Sequence, residues 1–88
     1  MTYGVIYTST ARRALSERLP PRAATACVEF IASVLAENPR RVGKPLRGSL
    51  EGLYSARRGE FRVIYAIDNE EIVVLIVTIA HRRDAYRS

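Results

Sequence analysis

The feature that most limits how this chain can fold is the run at residues 72–80, Ile-Val-Val-Leu-Ile-Val-Thr-Ile-Ala, which is apolar throughout except at Thr78. It is about half the length a membrane-spanning helix needs. An extended segment that is apolar on both faces has to be covered on both faces, so the run reads as the central strand of a sheet. The rest of the chain must then supply flanking strands and a cover.

Both are legible. Val5, Ile6 and Tyr7, within residues 3–8, favour a first strand, and Thr8-Ser9-Thr10 offers helix N-caps directly after it. Ala11, Leu15 and Leu19 recur at i, i+4 and i+8 and form an inward stripe, with Arg12, Arg13, Glu17 and Arg18 facing water. Pro20 and Pro21 end that helix and open the next, since proline is tolerated at a first helical position. Over about residues 21–37, Ala24, Cys27, Val28, Ile31, Val34 and Leu35 fall at helical spacing as a sheet-covering stripe, and Asn38-Pro39 stops the helix. Residues 40–48, with Gly43, Pro45 and Gly48, read as a loop or a very short edge strand. Strands follow at about 52–57, 60–68 and 71–80, the last two joined as a tight hairpin across Asn69-Glu70. The first strand is placed beside the central one, as its remaining free partner. The expected fold is α+β and two-layered: a small antiparallel sheet with an N-terminal helical hairpin packed on one face, in the order β-α-α-β-β-β.

Eighty-eight residues suit a single domain, 1–88, of modest stability. With 48% hydrophobic and 26% charged residues the chain is compact rather than disordered. Its single cysteine, Cys27, excludes an internal disulfide and is expected to be a buried thiol in a reducing compartment. No basic stretch followed by an apolar run opens the chain, so no secretory signal is expected and the location expected is cytoplasmic. The net charge of +5 is concentrated: residues 40–62 carry seven basic and two acidic side chains, and the remainder is neutral. A basic segment in an otherwise neutral protein points to an anionic partner, nucleic acid first. No membrane partner is expected.

That segment contains Gly-Leu-Tyr-Ser-Ala-Arg-Arg-Gly-Glu-Phe-Arg-Val-Ile-Tyr, residues 52–65, an arginine-rich strand that turns at Gly59 and runs back. Period-2 geometry puts Phe61, Val63 and Tyr65 on one face and Glu60, Arg62 and Ile64 on the other. Arg57 and Arg58 enter the same turn, so the stretch outlines an anion site. The end of the central strand leads to His81-Arg82-Arg83-Asp84-Ala85-Tyr86, a second cluster of chemically capable side chains.

Together, Lys44-Pro45-Leu46-Arg47-Gly48, residues 52–65 and residues 81–86 closely resemble the RelE/ParE toxin superfamily of bacterial toxin–antitoxin systems, over nearly the whole chain. The pattern R-x-G-x-[FY]-R-[VI]-x-Y followed by H-R-x-x-x-Y is similar to the RelE branch. The resemblance implies a ribosome-dependent endoribonuclease that cuts messenger RNA in the decoding site and is neutralised by a cognate antitoxin protein. It implies a role for Arg62, for Arg82 or Arg83, and for Tyr86. Lysines used by the family in the preceding strand are missing, with Tyr54 and Ala56 standing about where they would be. The alternative within the superfamily is a ParE-like toxin that inhibits DNA gyrase by contact alone.

Metal-independent RNA cleavage needs a base for the 2′-hydroxyl, cations for the charge growing on phosphate and an acid for the leaving 5′-oxygen. Arg58, Arg62 and one of Arg82 or Arg83 can stabilise phosphate but are poor proton acceptors. His81, the one histidine, belongs to the side-chain type suited to exchanging protons near neutral pH and is the candidate general base or acid, with Tyr86 assisting or stacking on a base and Glu60 a weaker base. The catalytic candidates are therefore Arg62, His81, Arg83, Tyr86 and Arg58. Lys44, Arg47, Arg57, Arg82 and Tyr54 are the candidate RNA contacts. No His/Cys ligand spacing or phosphate-binding glycine loop is present, and no metal or cofactor is expected.

Overall fold

The computed structural model describes residues 2–84. Strand β1 (Gly4–Tyr7) leads through Thr8 into helix α1 (Ser9–Arg13). The Thr8 hydroxyl accepts from the Ala11 N–H (3.0 Å) and donates to the Val77 carbonyl (2.6 Å), so one side chain caps the helix and ties it to the sheet. The helix widens into a π-helical turn over Ala14–Arg18 and ends where the Leu19 N–H donates to the Ala14 carbonyl at 2.9 Å. Pro20 is extended and Pro21 takes the first position of α2 (Pro21–Phe30), which widens in the same way over Ile31–Leu35.

A short helix, α3 (Pro39–Val42), follows where the sequence suggested a loop, again with proline at its start. The remaining strands are β2 (Lys44–Pro45), β3 (Tyr54–Arg58), β4 (Phe61–Asp68) and β5 (Val73–His81). They form one sheet in the order β1-β5-β4-β3-β2, so β5 is central, with β1 beside it. The sheet is mixed rather than wholly antiparallel. From β2 to β5 it is an antiparallel meander, but the helices carry the chain across to the far edge before the meander begins, and β5 returns parallel to β1. The β4–β5 connection also runs from Asn69 to Ile72 instead of two residues, with the Asp68 carboxylate accepting the N–H groups of Glu70 and Glu71 (3.0 Å each). Among the described residues no helix is long and apolar enough to cross a membrane.

The helices cover one face. Ala11, Ala14, Leu19, Cys27, Ile31 and Leu35 pack against Ala56, Val63, Tyr65, Val74, Ile76 and Ile79. Val28 and Val34, expected in the covering stripe, are 41% and 46% exposed. In the widened turn each residue advances less than the usual 100°, which turns Val34 outward and brings Ala36 in beside Leu35. The largest fully buried side chain is Tyr65. Its hydroxyl donates to the Pro39 carbonyl (2.6 Å) and its ring stacks on Tyr54 at 5.6 Å, whose own hydroxyl accepts from Arg40 (3.2 Å). This aromatic pair fastens α3, and with it the edge strand β2, to the sheet.

Candidate functional site

Strand register decides which basic residues share a face. Tyr54 pairs with Tyr65, Ala56 with Val63 and Arg58 with Phe61, all on the helix side; Ser55 pairs with Ile64 and Arg57 with Arg62, on the open side. Lys44 stands opposite Ser55 across β2–β3 and joins the open side. There Lys44, Arg57 and Arg62, with Val42, Pro45, Leu46 and Ser55, line a groove of about 540 Å³. Arg62 is half-buried, Ser55 is buried and Arg57 is exposed. Two guanidinium-bearing residues directly opposite each other repel. Among the described residues no carboxylate pairs with either; Arg57 donates from Nε to the Gly59 carbonyl at 3.4 Å.

The rim of this face is made by the end of β5. Ala80 pairs with Arg62 and His81 with Phe61. One step further, the Arg82 N–H donates to the Glu60 carbonyl (2.8 Å) and the Arg82 Nε meets the Glu60 carboxylate at 3.1 Å. Alternation thus carries Arg82 and Glu60 onto the side of Arg62. Arg83 is exposed one residue beyond, and Tyr86 lies outside the described residues.

The expected constellation is therefore divided. Arg62, Arg57, Lys44 and Arg82 come to the open side. Arg58 does not: it is on the helix side, where its charge partly opposes the burial that pushes the Cys27 thiol above its ordinary value. His81 is also on that side, its ring edge-to-face with Phe61 (5.7 Å, 82°) above a recess of about 190 Å³ that Arg18, Leu19 and Asp84 also line. Tyr54 is committed to the Tyr65 stack and Ala56 is in the core, so the open positions of β3 are Ser55 and Arg57 rather than the two compared with the missing lysines. Arg47 is exposed at the start of a 3-10 turn (Gly48–Leu50), outside the groove. Sequence reasoning passed over Ser55, Val42 and Leu46 as lining residues. Ser55 was accessible to it, being two residues from Arg57 on the same strand and hence on the same face.

Fold and groove together define a two-layer α+β protein with helices on one sheet face and a cationic cleft on the other. Residues 5–86 match the family model described as the ParE toxin of type II toxin–antitoxin systems, parDE, and the chain belongs to that family. It is 55% identical over 85 residues to a protein named Toxin RelE from Mycobacterium tuberculosis, covering 97% of this chain and 87% of that one. It is 52% identical over 87 residues to Toxin RelG of the same organism, covering 99% of each. Among solved structures, the toxin–antitoxin complex RelBE2 from Mycobacterium tuberculosis contains a chain that superposes with a TM-score of 0.88 at 50% identity, covering 93% of this chain and 100% of that one.

Proposed function

We propose that this protein is a cytoplasmic toxin that cleaves messenger RNA on the ribosome and is held inactive by a cognate antitoxin. The observation that carries the reading is the cross-strand pair Arg57 and Arg62, with Lys44 beside it, on an open sheet face. Like charges placed opposite each other are unfavourable until an anion lies between them. An RNA phosphate supplies that anion. The 2′-hydroxyl oxygen attacks the adjacent phosphorus and gives its proton to solvent water as the bond to the 5′-oxygen breaks, and the 5′-oxygen takes a proton from solvent or from Tyr86, leaving a 2′,3′-cyclic phosphate and a 5′-hydroxyl end. Arg62 and Arg57 neutralise the charge that grows on the phosphate oxygens, and Arg82 adds a third guanidinium from the rim. Arg83 and Tyr86 remain candidates from the tail, and Arg47 for backbone contact outside the groove. An antitoxin segment carrying carboxylates would compete for the same cations, which accords with the RelBE2 chain being part of a toxin–antitoxin complex.

Inhibition of DNA gyrase is the second reading, favoured by the ParE description of the matching family. Induction in cells separates the two. Cuts within translated transcripts that disappear with Arg62→Ala support the nuclease. Intact transcripts with a supercoiling defect, unchanged by Arg62→Ala, would establish the gyrase reading in its place.

A further inference from the structure

His81 entered as the candidate for proton transfer, yet its ring stands on the far side of the sheet from Arg62 and its hydrogen bonding describes a different task. The Arg83 N–H donates to His81 Nδ1 at 3.2 Å, and the Asp84 N–H donates to the His81 carbonyl at 2.8 Å. A side-chain acceptor that takes the N–H two residues ahead closes a turn, as Asn and Asp do in Asx-turns. This turn carries Arg82, whose N–H is on the Glu60 carbonyl and whose Nε is on the Glu60 carboxylate. With Nδ1 accepting, a neutral imidazole carries its proton on Nε2. The imidazole packs against the Phe61 ring in a T-shaped arrangement, the two planes at 82°.

We propose that His81 is a positioning residue: its unprotonated Nδ1 closes the turn that presents Arg82 at the rim of the cationic face, and it moves no proton in the reaction. This rests on the nuclease reading for its consequence in catalysis, though not for the turn itself. Protonation puts a hydrogen on Nδ1, so two donors face each other and the turn opens. Arg82 is then released from its place opposite Glu60, on the same side of the sheet as Arg62. The charged groups around the ring are Arg18 from the end of the first helical segment, Arg83 and Asp84 from its own turn, the Glu60–Arg82 pair beside it, and Arg58 across from Phe61. Cleavage should therefore fall on the acid side as His81 protonates.

A general base at this position would produce the same acid limb, and the two roles part at one substitution. Asparagine can accept from the N–H two residues on but cannot exchange a proton near neutrality. His81→Ala should lower the cleavage rate of programmed ribosomes by about tenfold to a hundredfold through misplacement of Arg82. His81→Asn should restore most of that rate and abolish the acid limb. A His81→Asn variant as inactive as His81→Ala at every pH would overturn the proposal in favour of proton transfer. The second measurement is independent of activity: in the wild-type protein, the Arg83 amide resonance and its hydrogen exchange should follow the titration of the His81 ring by NMR. An Arg83 amide indifferent to that titration would also overturn the proposal. If the amide follows the ring while no transcript is cleaved, the nuclease reading fails and the turn stands.

Discussion

Gly43→Ala is the substitution for which the structure sets the sharpest expectation. Gly43 has an ordinary extended backbone (φ −105°, ψ 179°), so its need for glycine comes from crowding and not from torsion. A Cβ there would overlap the Tyr65 hydroxyl and stand 2.8 Å from the Ser55 carbonyl oxygen and 2.9 Å from Tyr65 Cζ. Tyr65 has nowhere to go, being 0% exposed, stacked on Tyr54 and bonded to the Pro39 carbonyl. Ser55 is backbone within the β2–β3 pairing. Accommodation therefore breaks the Tyr65–Pro39 bond, at about 1–3 kcal/mol for a buried group left unsatisfied, and overpacks the site for about 1–3 kcal/mol more. The expected loss is about 2–6 kcal/mol, a large part of the roughly 5–15 kcal/mol that holds a domain folded. Urea unfolding followed by circular dichroism measures it. Gly43→Ala with Tyr65→Phe, which removes the overlapping hydroxyl, should be less destabilised than the sum of the single changes. A Gly43→Ala protein within about 1 kcal/mol of wild type, or strict additivity in the pair, would refute the reasoning.

Three further outcomes follow from the same contacts. Burial pushes Tyr65 up to about 12, so the folded state favours the neutral phenol; that stabilisation is complete below the unfolded value of about 10 and is lost as pH rises through about 12. Tyr65→Phe should be less stable than wild type at neutral pH, and the gap in unfolding free energy should close with rising pH, whereas a constant gap would deny the phenol its role. Arg57→Gln removes one of two facing like charges, so thermal stability should hold or rise by about 0.2–1 kcal/mol while binding of an RNA oligonucleotide weakens and its salt dependence flattens by about one phosphate contact; a clear loss of stability would show Arg57 to be a structural partner. Glu60→Gln should leave stability within about 1 kcal/mol, because the Glu60 and Arg82 side chains are 60% and 53% exposed. It should nevertheless lower cleavage by freeing Arg82, and increased cleavage would mean that summed charge, not the placement of Arg82, governs the site.

Much of the fold was legible because its signals are local. Residues 72–80 are apolar on both faces and occupy the centre of the sheet; Gly59, with φ 63°, turns β3 into β4 as glycine permits; Pro21 opens a helix where the sequence placed one. Helix α3 is hidden in the sequence because Asn38-Pro39 is a stop signal for the preceding helix, and a proline that ends one helix can occupy the first position of the next. The outward turn of Val34 escaped because the π-helical widening changes the angular step, which residue spacing alone does not reveal.

The site was less legible for one physical reason, a bulge. Ile64 pairs with Thr78 but Tyr65 pairs with Ile76, which leaves Val77 as an extra residue in β5. Val74 and Ile76 face the helices, so unbroken alternation would have kept residues 78, 80 and 82 on that side and turned residue 81 toward Arg62. The extra residue reverses the phase: Ile79 and His81 face the helix side, and Ala80 and Arg82 face the open one. His81 next to Arg62 and an undecided choice between Arg82 and Arg83 are what a reader of the sequence meets when that phase is unknown. The same inserted residue seats Ile79 in the core, gives Thr8 the Val77 carbonyl as its acceptor, and brings Arg82 to the rim of the groove. Deleting Val77 should therefore remove the bulge and leave the faces as they are: Thr78 would follow Ile76 directly and still meet Ile64, so regular alternation keeps Ile79 and His81 on the helix side and Ala80 and Arg82 on the open one. The loss would fall on the Thr8 hydroxyl, whose acceptor is the Val77 carbonyl, and so on the tie between the first helix and the sheet.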